Sequence, residues 1–402
     1  MDRPKLRQVD RYELQRGDED LLVVRDPLGL AQPFAIDTDF KPVLDLLDGT
    51  RTLPQIRQSL LMAHGLDLPA PDLAAFVTEL SNAGLLQDDA FADLWADAHA
   101  DFLEAPHREA RLAGLLYPAD PAEASRVLAH ALPDRPDRFL PGSDLIGAVV
   151  PHGPPAEVAG LWDMTLRRLP PASELECIVV LGTDHGPGLL PYVTTRKPFQ
   201  TPLGVVPTAT RLLEALERRV DWIEREEIRH RDAMSIEIAA VAIRALYGDD
   251  CPPIVPVLCG QTVLQPAHDD TEPVEQFIRA LDALCDDRPV LWWVSAELSH
   301  CGPAYGHPAL GEDEMGTIIA RDGDVLDALA AGRAEEVAVR CAAPHPQGRQ
   351  SGGPALTTAA RLLPVGFRAH EICYELAPAP GPTPGRVGRA GIRFYGPLAD
   401  PD

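Results

Sequence analysis

Lysine is nearly missing from this chain. Lys5, Lys41 and Lys197 are its three lysines, and arginine carries almost all of the positive charge. So few amines leave little scope for Schiff-base catalysis. With abundant alanine and 41 prolines, the bias reads as that of a GC-rich genome. Positive charge of any kind is short: 36 Lys and Arg stand against 61 Asp and Glu, a formal net charge of −25. A protein that grips nucleic acid by its phosphates needs a basic face, and so does one that docks on anionic lipid; neither class fits. Also absent is any CxxC pair among the seven cysteines. An odd number without paired spacing reads as free thiols in a reducing cytosol. Cys177, Cys259 and Cys285 lie in or beside apolar runs, where a small buried hydrophobe is expected. No apolar stretch reaches the length of a membrane span, and MDRPKLRQVDRYELQRGDED at the start holds no apolar signal core. The expectation is a soluble, cytoplasmic protein without nucleic-acid or membrane partners.

What is present is ordinary globular composition, 45% hydrophobic and 24% charged over 402 residues, with room for two or three domains. Residues 1–90 read as a unit of their own. Two short apolar strands, LLVVR and PFAID, flank a Pro/Gly turn. DFKPVLDLLDGT gives a helix ending at Gly49, Thr52 can cap TLPQIRQSLLMAH, and Asp72 opens DLAAFVTELSNAGLL, which Gly84 stops. A strand pair with three helices is a winged-helix-like α+β plan. LLDGTRTLPQIRQSL followed by DLAAFVTELSNAGLL resembles the PqqD-like domains, small peptide-recognition modules of radical-SAM and other peptide-modifying systems. That resemblance implies capture of a leader peptide by strand addition. A winged-helix module used for dimerisation or as a packing cap accounts for the same residues; DNA binding comes third, because no basic recognition helix is present. Residues 91–106, FADLWADAHADFLEAP, are acidic and alanine-rich and read as a linker helix, with residues 107–402 as the second domain.

In that second domain LIGAVV (145–150), a helix over 156–169 and the strand at 177–182 form a βαβ unit, for which a parallel pair and right-handed crossover are expected. A helix over 235–247, the strand PIVPVL (253–258), a helix over 271–285, the strand VLWWVS and a final strand AGIRFYG follow, the last after the Pro/Gly loop PAPGPTPGR (378–386). Trp292 and Trp293 are consecutive, so they face opposite layers as core. His152 sits just past LIGAVV, His185 just past CIVVLG, and Glu297 and His300 just past VLWWVS. Loops at the carboxyl ends of such strands line the ligand crevice of an open α/β sheet. Imidazoles and a carboxylate converging there suggest a metal or acid–base site.

Several motifs, found in order over residues 107–397, resemble the Memo family, the AmmeMemoRadiSam system protein B group, related in fold to the class III extradiol dioxygenases. They are AGLLYPAD, VVPHGP, VVLGTDHG, QTPLGVV, Ser235-Ile236-Glu237, IVPVLCG and VSAELSHCG. The resemblance implies an α/β fold, a Memo/extradiol-dioxygenase-like sheet with flanking helices. It makes His152 and His185 metal ligands, although a lone loop histidine is more often merely solvated. It makes Glu297 and His300 catalytic acid–base residues; Glu297 serves equally well as a carboxylate that fixes a histidine tautomer from behind. Two positions depart from the family. Aligned on Pro354 of RQSGGPAL, the cysteine that completes the family's metal site becomes Gln350, whose amide is neutral and harder than a thiolate. Met234 stands where a histidine precedes the Ser-Ile-Glu run, and His230 substitutes for it only if that helix already extends so far. Ser351, Gly352 and Gly353 ahead of PALTTAARLLP form either an anion seat for substrate or a plain capped helix start.

The function so implied is a non-haem metal enzyme, iron or copper, carrying out a redox or dioxygenase-like step on a peptide or protein substrate presented by the N-terminal module. The group's name implies a radical-SAM enzyme and an Amme-type protein as partners. The Gln350 exchange leaves open whether metal is held at all, so a non-catalytic peptide- or partner-binding scaffold with a degenerate site stands beside it. Within the enzyme class, an aromatic-ring dioxygenase is the runner-up.

Overall fold

A computed structural model of the chain describes residues 2–397 apart from 8, 17–18, 27–28, 32, 187, 265–270 and 381–382. The last pair takes the tip of the loop over 378–386 outside the described residues. The chain divides into two compact units, Met1–Ala105 and Pro106–Asp402.

In the first unit β1 (Asp10–Arg16), β2 (Glu19–Arg25) and β3 (Phe34–Asp37) form an antiparallel meander. Helices α1 (Lys41–Leu46), α2 (Leu53–His64), α3 (Ala70–Asn82) and α4 (Asp89–Glu104) follow. The strand pair read from LLVVR and PFAID is thus a three-stranded sheet. Its added strand, RYELQR, is too polar to register as an apolar run, but it pairs residue for residue with β2. Thr52 opens α2 as expected, its amide donating to Gln55 Oε1 at 2.9 Å. Helix α3 begins at Ala70 rather than at Asp72, because Pro71 fits the first helical turn. Gly84 ends that segment at φ +69°, a backbone conformation other residues resist. Leu22, Val24, Ile36, Leu44, Ile56, Leu60, Phe76 and Leu80 close the core of this unit.

The second unit is built on a mixed sheet. Its strands are β4 (Leu145–Val150), β5 (Cys177–Thr183), β6 (Tyr192–Thr194), β9 (Ile254–Cys259), β10 (Val290–Ser295), β11 (Ser299–Cys301), β12 (Gly348–Gln350), β13 (Arg368–Pro378) and β14 (Arg386–Tyr395). A separate hairpin pairs β7 (Phe199–Thr201) with β8 (Gly204–Val206). The sheet runs β12-β11-β14-β4-β10-β5-β9-β6, with β13 also paired to β14. Helices α5 (Pro121–Ala131), the short α6 (Arg135–Arg138), α7 (Pro155–Thr165), α8 (Thr210–Glu217), α9 (Met234–Tyr247), α10 (Thr271–Cys285), α11 (Glu312–Ala330), α12 (Ala334–Ala342) and α13 (Gly353–Leu362) flank it.

The βαβ expectation needs one correction. Strands β4 and β5 are parallel, but β10 lies between them and pairs in parallel with both. VLWWVS is apolar on both faces and suits a central slot covered by helices on either side. Alternation does the rest. Trp292 packs with Val179, Val255 and Leu281 on one face, while Trp293 packs with Val180, Ile178 and Ile236 on the other.

Helix α9 starts at Met234, and His230 lies in a separate 3-10 turn before it. Glu237, inside α9, binds the opening segment of the unit. Its carboxylate pairs with Arg108 and accepts from Tyr117 Oη and, at 2.8 Å, from Leu112 N. The three side chains are buried, Arg108 being 1% exposed. Removing one partner strands the other charge away from water, so Glu237→Ala is expected to cost about 3–5 kcal/mol of unfolding free energy. Tyr117→Phe, which loses one neutral donor, is expected to cost about 1 kcal/mol. Urea unfolding of the two variants checks the ranking; equal, small losses would show that the buried pair does not anchor this segment.

Candidate functional site

Three parallel strands end side by side, and their loops carry the site. His152 follows β4, His185 follows β5, and Glu297 and His300 follow β10, with His300 inside β11. The ends are laced together by hydroxyls: Ser235 Oγ donates to Thr183 O at 2.7 Å, Thr183 Oγ1 to Ser295 O at 3.1 Å, and Ser295 Oγ to Ser235 O at 2.7 Å. His152 Nε2 and His185 Nε2 then stand 3.1 Å apart, and the ring centroids of His185 and His300 are 6.4 Å apart. The convergence expected from the strand ends is therefore present.

The hydrogen bonds define how these rings are protonated. Ser295 spends its proton on Ser235 O, so toward His152 Nδ1, 3.3 Å away, the hydroxyl acts as acceptor. Nδ1 carries the hydrogen, and Nε2 is left as a lone pair aimed at His185. His152 is fully buried. Burial, and then the nearby His300 ring and Arg389 guanidinium, hold its pKa down against the opposing pull of Glu297. His185 reaches solvent at the rim, yet its ring is crowded by protein. That desolvation, and then His152 and His300, push its pKa down to about 3. Both rings are neutral at pH 7, the state in which imidazole nitrogens bind metals. Two nitrogens each roughly 2.1 Å from one ion, at about a right angle, stand roughly 3 Å apart, and the observed spacing meets that condition.

Glu297 is buried between the rings. Its Oε1 accepts from Arg389 Nε at 3.1 Å, while Oε2 lies 3.4 Å from His300 Nε2 and 3.9 Å from His152 Nε2. Burial by itself would raise its pKa; the hydrogen bond from His300, the neighbouring imidazoles and the Arg389 guanidinium outweigh that and hold it at about 2. His300 faces this carboxylate with Nε2, while Nδ1 lies 3.2 Å from both Leu298 O and Ser351 Oγ. The edge of Tyr305 packs on its ring, centroids 4.8 Å apart.

Other expected residues are placed elsewhere. Gln350 donates through Nε2 to Asp322 Oδ1 at 2.9 Å, and its buried Oε1 has no hydrogen-bond partner among the described residues. Among the described residues, no three His, Cys, Asp or Glu side chains surround one metal-sized point. The amides of Ser351 and Gly352 donate to Leu298 O and Glu297 O at 3.1 and 2.9 Å, so the turn does not offer them to an anion. Gly352 is there for close approach: a Cβ would run into Glu297 O and lie 2.8 Å from Ala296 Cβ. Gly353 begins α13, buried against Cys341 and Leu264. His230 does not replace the histidine missing at Met234. Its Nε2 faces Val193 O at 3.0 Å, because the 3-10 turn aims it at β6.

Sequence reading passed over Arg389, Ser295, Tyr305 and Asp322. Arginine among the apolar residues of β14 was a usable signal for Arg389, since a charge in a buried strand needs a partner. Asp322 accepts from Ser299 Oγ, Gln350 Nε2 and Tyr374 Oη at 2.6, 2.9 and 2.8 Å. Nothing in the surroundings of Asp322 within α11 distinguishes it from an exposed acid.

The Memo-like protein family matches residues 108–343. Among curated relatives, a MEMO1 family protein of Aquifex aeolicus is 23% identical over 308 residues, 76% of this chain and 78% of that protein. One of Thermus thermophilus is 24% identical over 286 residues, 71% of this chain and 82% of that protein. One of Thermoplasma acidophilum is 27% identical over 219 residues, covering 54% and 76%.

The lowered imidazole pKa values carry a pH signature. Burial holds His185 down at about 3 in the folded chain against an ordinary imidazole value of 6.5, so between these values the unfolded chain binds more protons. Stability present above pH 6.5 is therefore lost as pH falls. Between pH 7 and 5 Glu297, held at about 2, adds little to this loss. The urea midpoint of the metal-free chain is expected to fall over that window, and His185→Gln to flatten the slope. An unchanged slope in the variant would show that His185 is not kept neutral.

Proposed function

This chain belongs to the Memo-like protein family, and we propose that its imidazole cluster is the mononuclear non-haem metal centre of a redox or dioxygenase-like enzyme. The observation that carries the reading is the His152–His185 pair: two neutral rings, their Nε2 atoms 3.1 Å apart, with the His152 lone pair fixed by Ser295. His152 and His185 would hold the ion, with Glu297 Oε2 the nearest anionic donor. Two histidines and a carboxylate suit divalent iron, and imidazoles also suit copper. Such an ion supplies Lewis acidity and a redox couple.

The chain's own groups handle the protons. The hydrogen bond from His300 and the guanidinium of Arg389 keep Glu297 ionised, and in that bond Glu297 accepts the Nε2 proton of His300. His300, at the mouth and steadied through Nδ1 by Ser351, is positioned to give that proton to a substrate oxygen or take one from it. We assign the first unit, resembling PqqD-like domains, to holding a peptide or protein substrate. Among the described residues strand β3 pairs with β2 alone, leaving an edge for strand addition. A radical-SAM enzyme and an Amme-type protein are the partners this reading expects.

One observation favours a scaffold instead. Gln350 is turned to Asp322 and no three-donor group surrounds one point among the described residues, so a binding protein with a degenerate site is the second reading. Metal content decides between them. Protein purified without a chelating tag is expected to hold close to one iron or copper per chain, and His152→Ala or His185→Ala to lose it. Ser295→Ala, which frees the His152 tautomer, is expected to weaken metal affinity about 10–100-fold. Metal-free wild-type protein that fails to take up either ion would leave the scaffold.

A further inference from the structure

Arg349 is the residue of β12 directly opposite His300 on β11. Opposed residues of an antiparallel pair project from the same face, with Cβ atoms roughly 5 Å apart. Arg349 is exposed, whereas its neighbours Gly348 and Gln350 are buried. Its charge reaches the imidazole of His307, whose protonation burial and then Arg349 disfavour. No hydrogen bond or ion pair joins it to any carboxylate among the described residues. Beneath it, Arg321 spends both ends of its guanidinium on carbonyls, donating to Ala343 O at 2.6 Å and Gly348 O at 3.4 Å. In a chain with 61 acidic residues against 36 basic ones, Arg349 sets a guanidinium charge beside the reaction centre, with the neutral imidazole of His307 nearby.

We infer that Arg349 is a substrate-binding residue that seats an anionic group, a carboxylate or a phosphate, of the molecule acted on beside His300. The inference rests on the reading of the His152–His185 pair as the reaction centre and adds the class of substrate to it. A planar guanidinium donates two parallel hydrogen bonds to either oxyanion. With no carboxylate among the described residues to displace, Arg349 meets the ligand without first breaking an internal pair. A charge held at the edge strand against aggregation is the alternative use of such a residue, and the two differ in what anions do to His300.

The test is titration of the full-length, metal-free chain with inorganic phosphate and, separately, with acetate, following the imidazole resonances. The His300 and His307 signals are expected to move saturably with at least one of the two anions, and Arg349→Gln to weaken that response about tenfold or more. The preferred anion names the source. His152→Ala, which removes a proposed metal ligand, is expected to leave anion binding intact, so a failed metal assignment and a failed anion seat give different results. Absence of saturable shifts, or shifts equal in wild type and Arg349→Gln, would overturn the inference.

Discussion

The buried pair of Arg389 and Glu297 is the constraint on which the site depends. Each charge costs several kcal/mol to remove from water, and only close pairing with further hydrogen bonds offsets this. Arg389 meets both conditions, bonding Glu297 through Nε at 3.1 Å and Glu157 through Nη2 at 2.9 Å. Its strand, β14, lies between β11 and β4, so the guanidinium arrives between the loops that carry His152 and His300. Room for it is kept on the β4 side, where a Cβ on Gly153 would lie 3.0 Å from Arg389 Nη2. With one carboxylate oxygen so engaged, the other is free to face two imidazoles, and the charge that orders the site is held without help from solvent.

A second buried carboxylate governs the neighbouring edge. Asp322 reaches out of α11 and gathers Ser299 of β11, Gln350 of β12 and Tyr374 of β13. A buried carboxylate needs all the donors it can reach, and Gln350 is drawn to it for that reason. The same bond fixes β12 against β11, which puts Arg349 opposite His300 and Ser351 against His300 Nδ1. The glutamine thus contributes to the site by setting its wall, whatever its carbonyl oxygen does.

Much of this was legible beforehand because it is local. Apolar runs ending in VPHG, GTDHG and SAELSH place histidines and a carboxylate at strand ends, and the parallel sheet brings those ends together. Trp292 and Trp293 had to part to opposite faces, since side chains alternate along a strand. The added strand β1 escaped notice because its residues are polar; a partner strand supplies its hydrogen bonds, and no apolar period announces it. His230 looked usable only on the assumption that α9 began earlier than Met234.

The amino-acid order alone determined which residues could meet at the carboxyl edge of the sheet, since strand ends, caps and alternation are set by neighbours a few positions apart. Tertiary structure decided how those residues are partnered. β10 entered between β4 and β5, β14 carried Arg389 to Glu297 across 92 positions, and α11 turned Gln350 away through Asp322. Charge pairing in a buried site depends on which strands and helices become neighbours, and that order is chosen by the packing of the whole unit, in which no short stretch of chain has a deciding share.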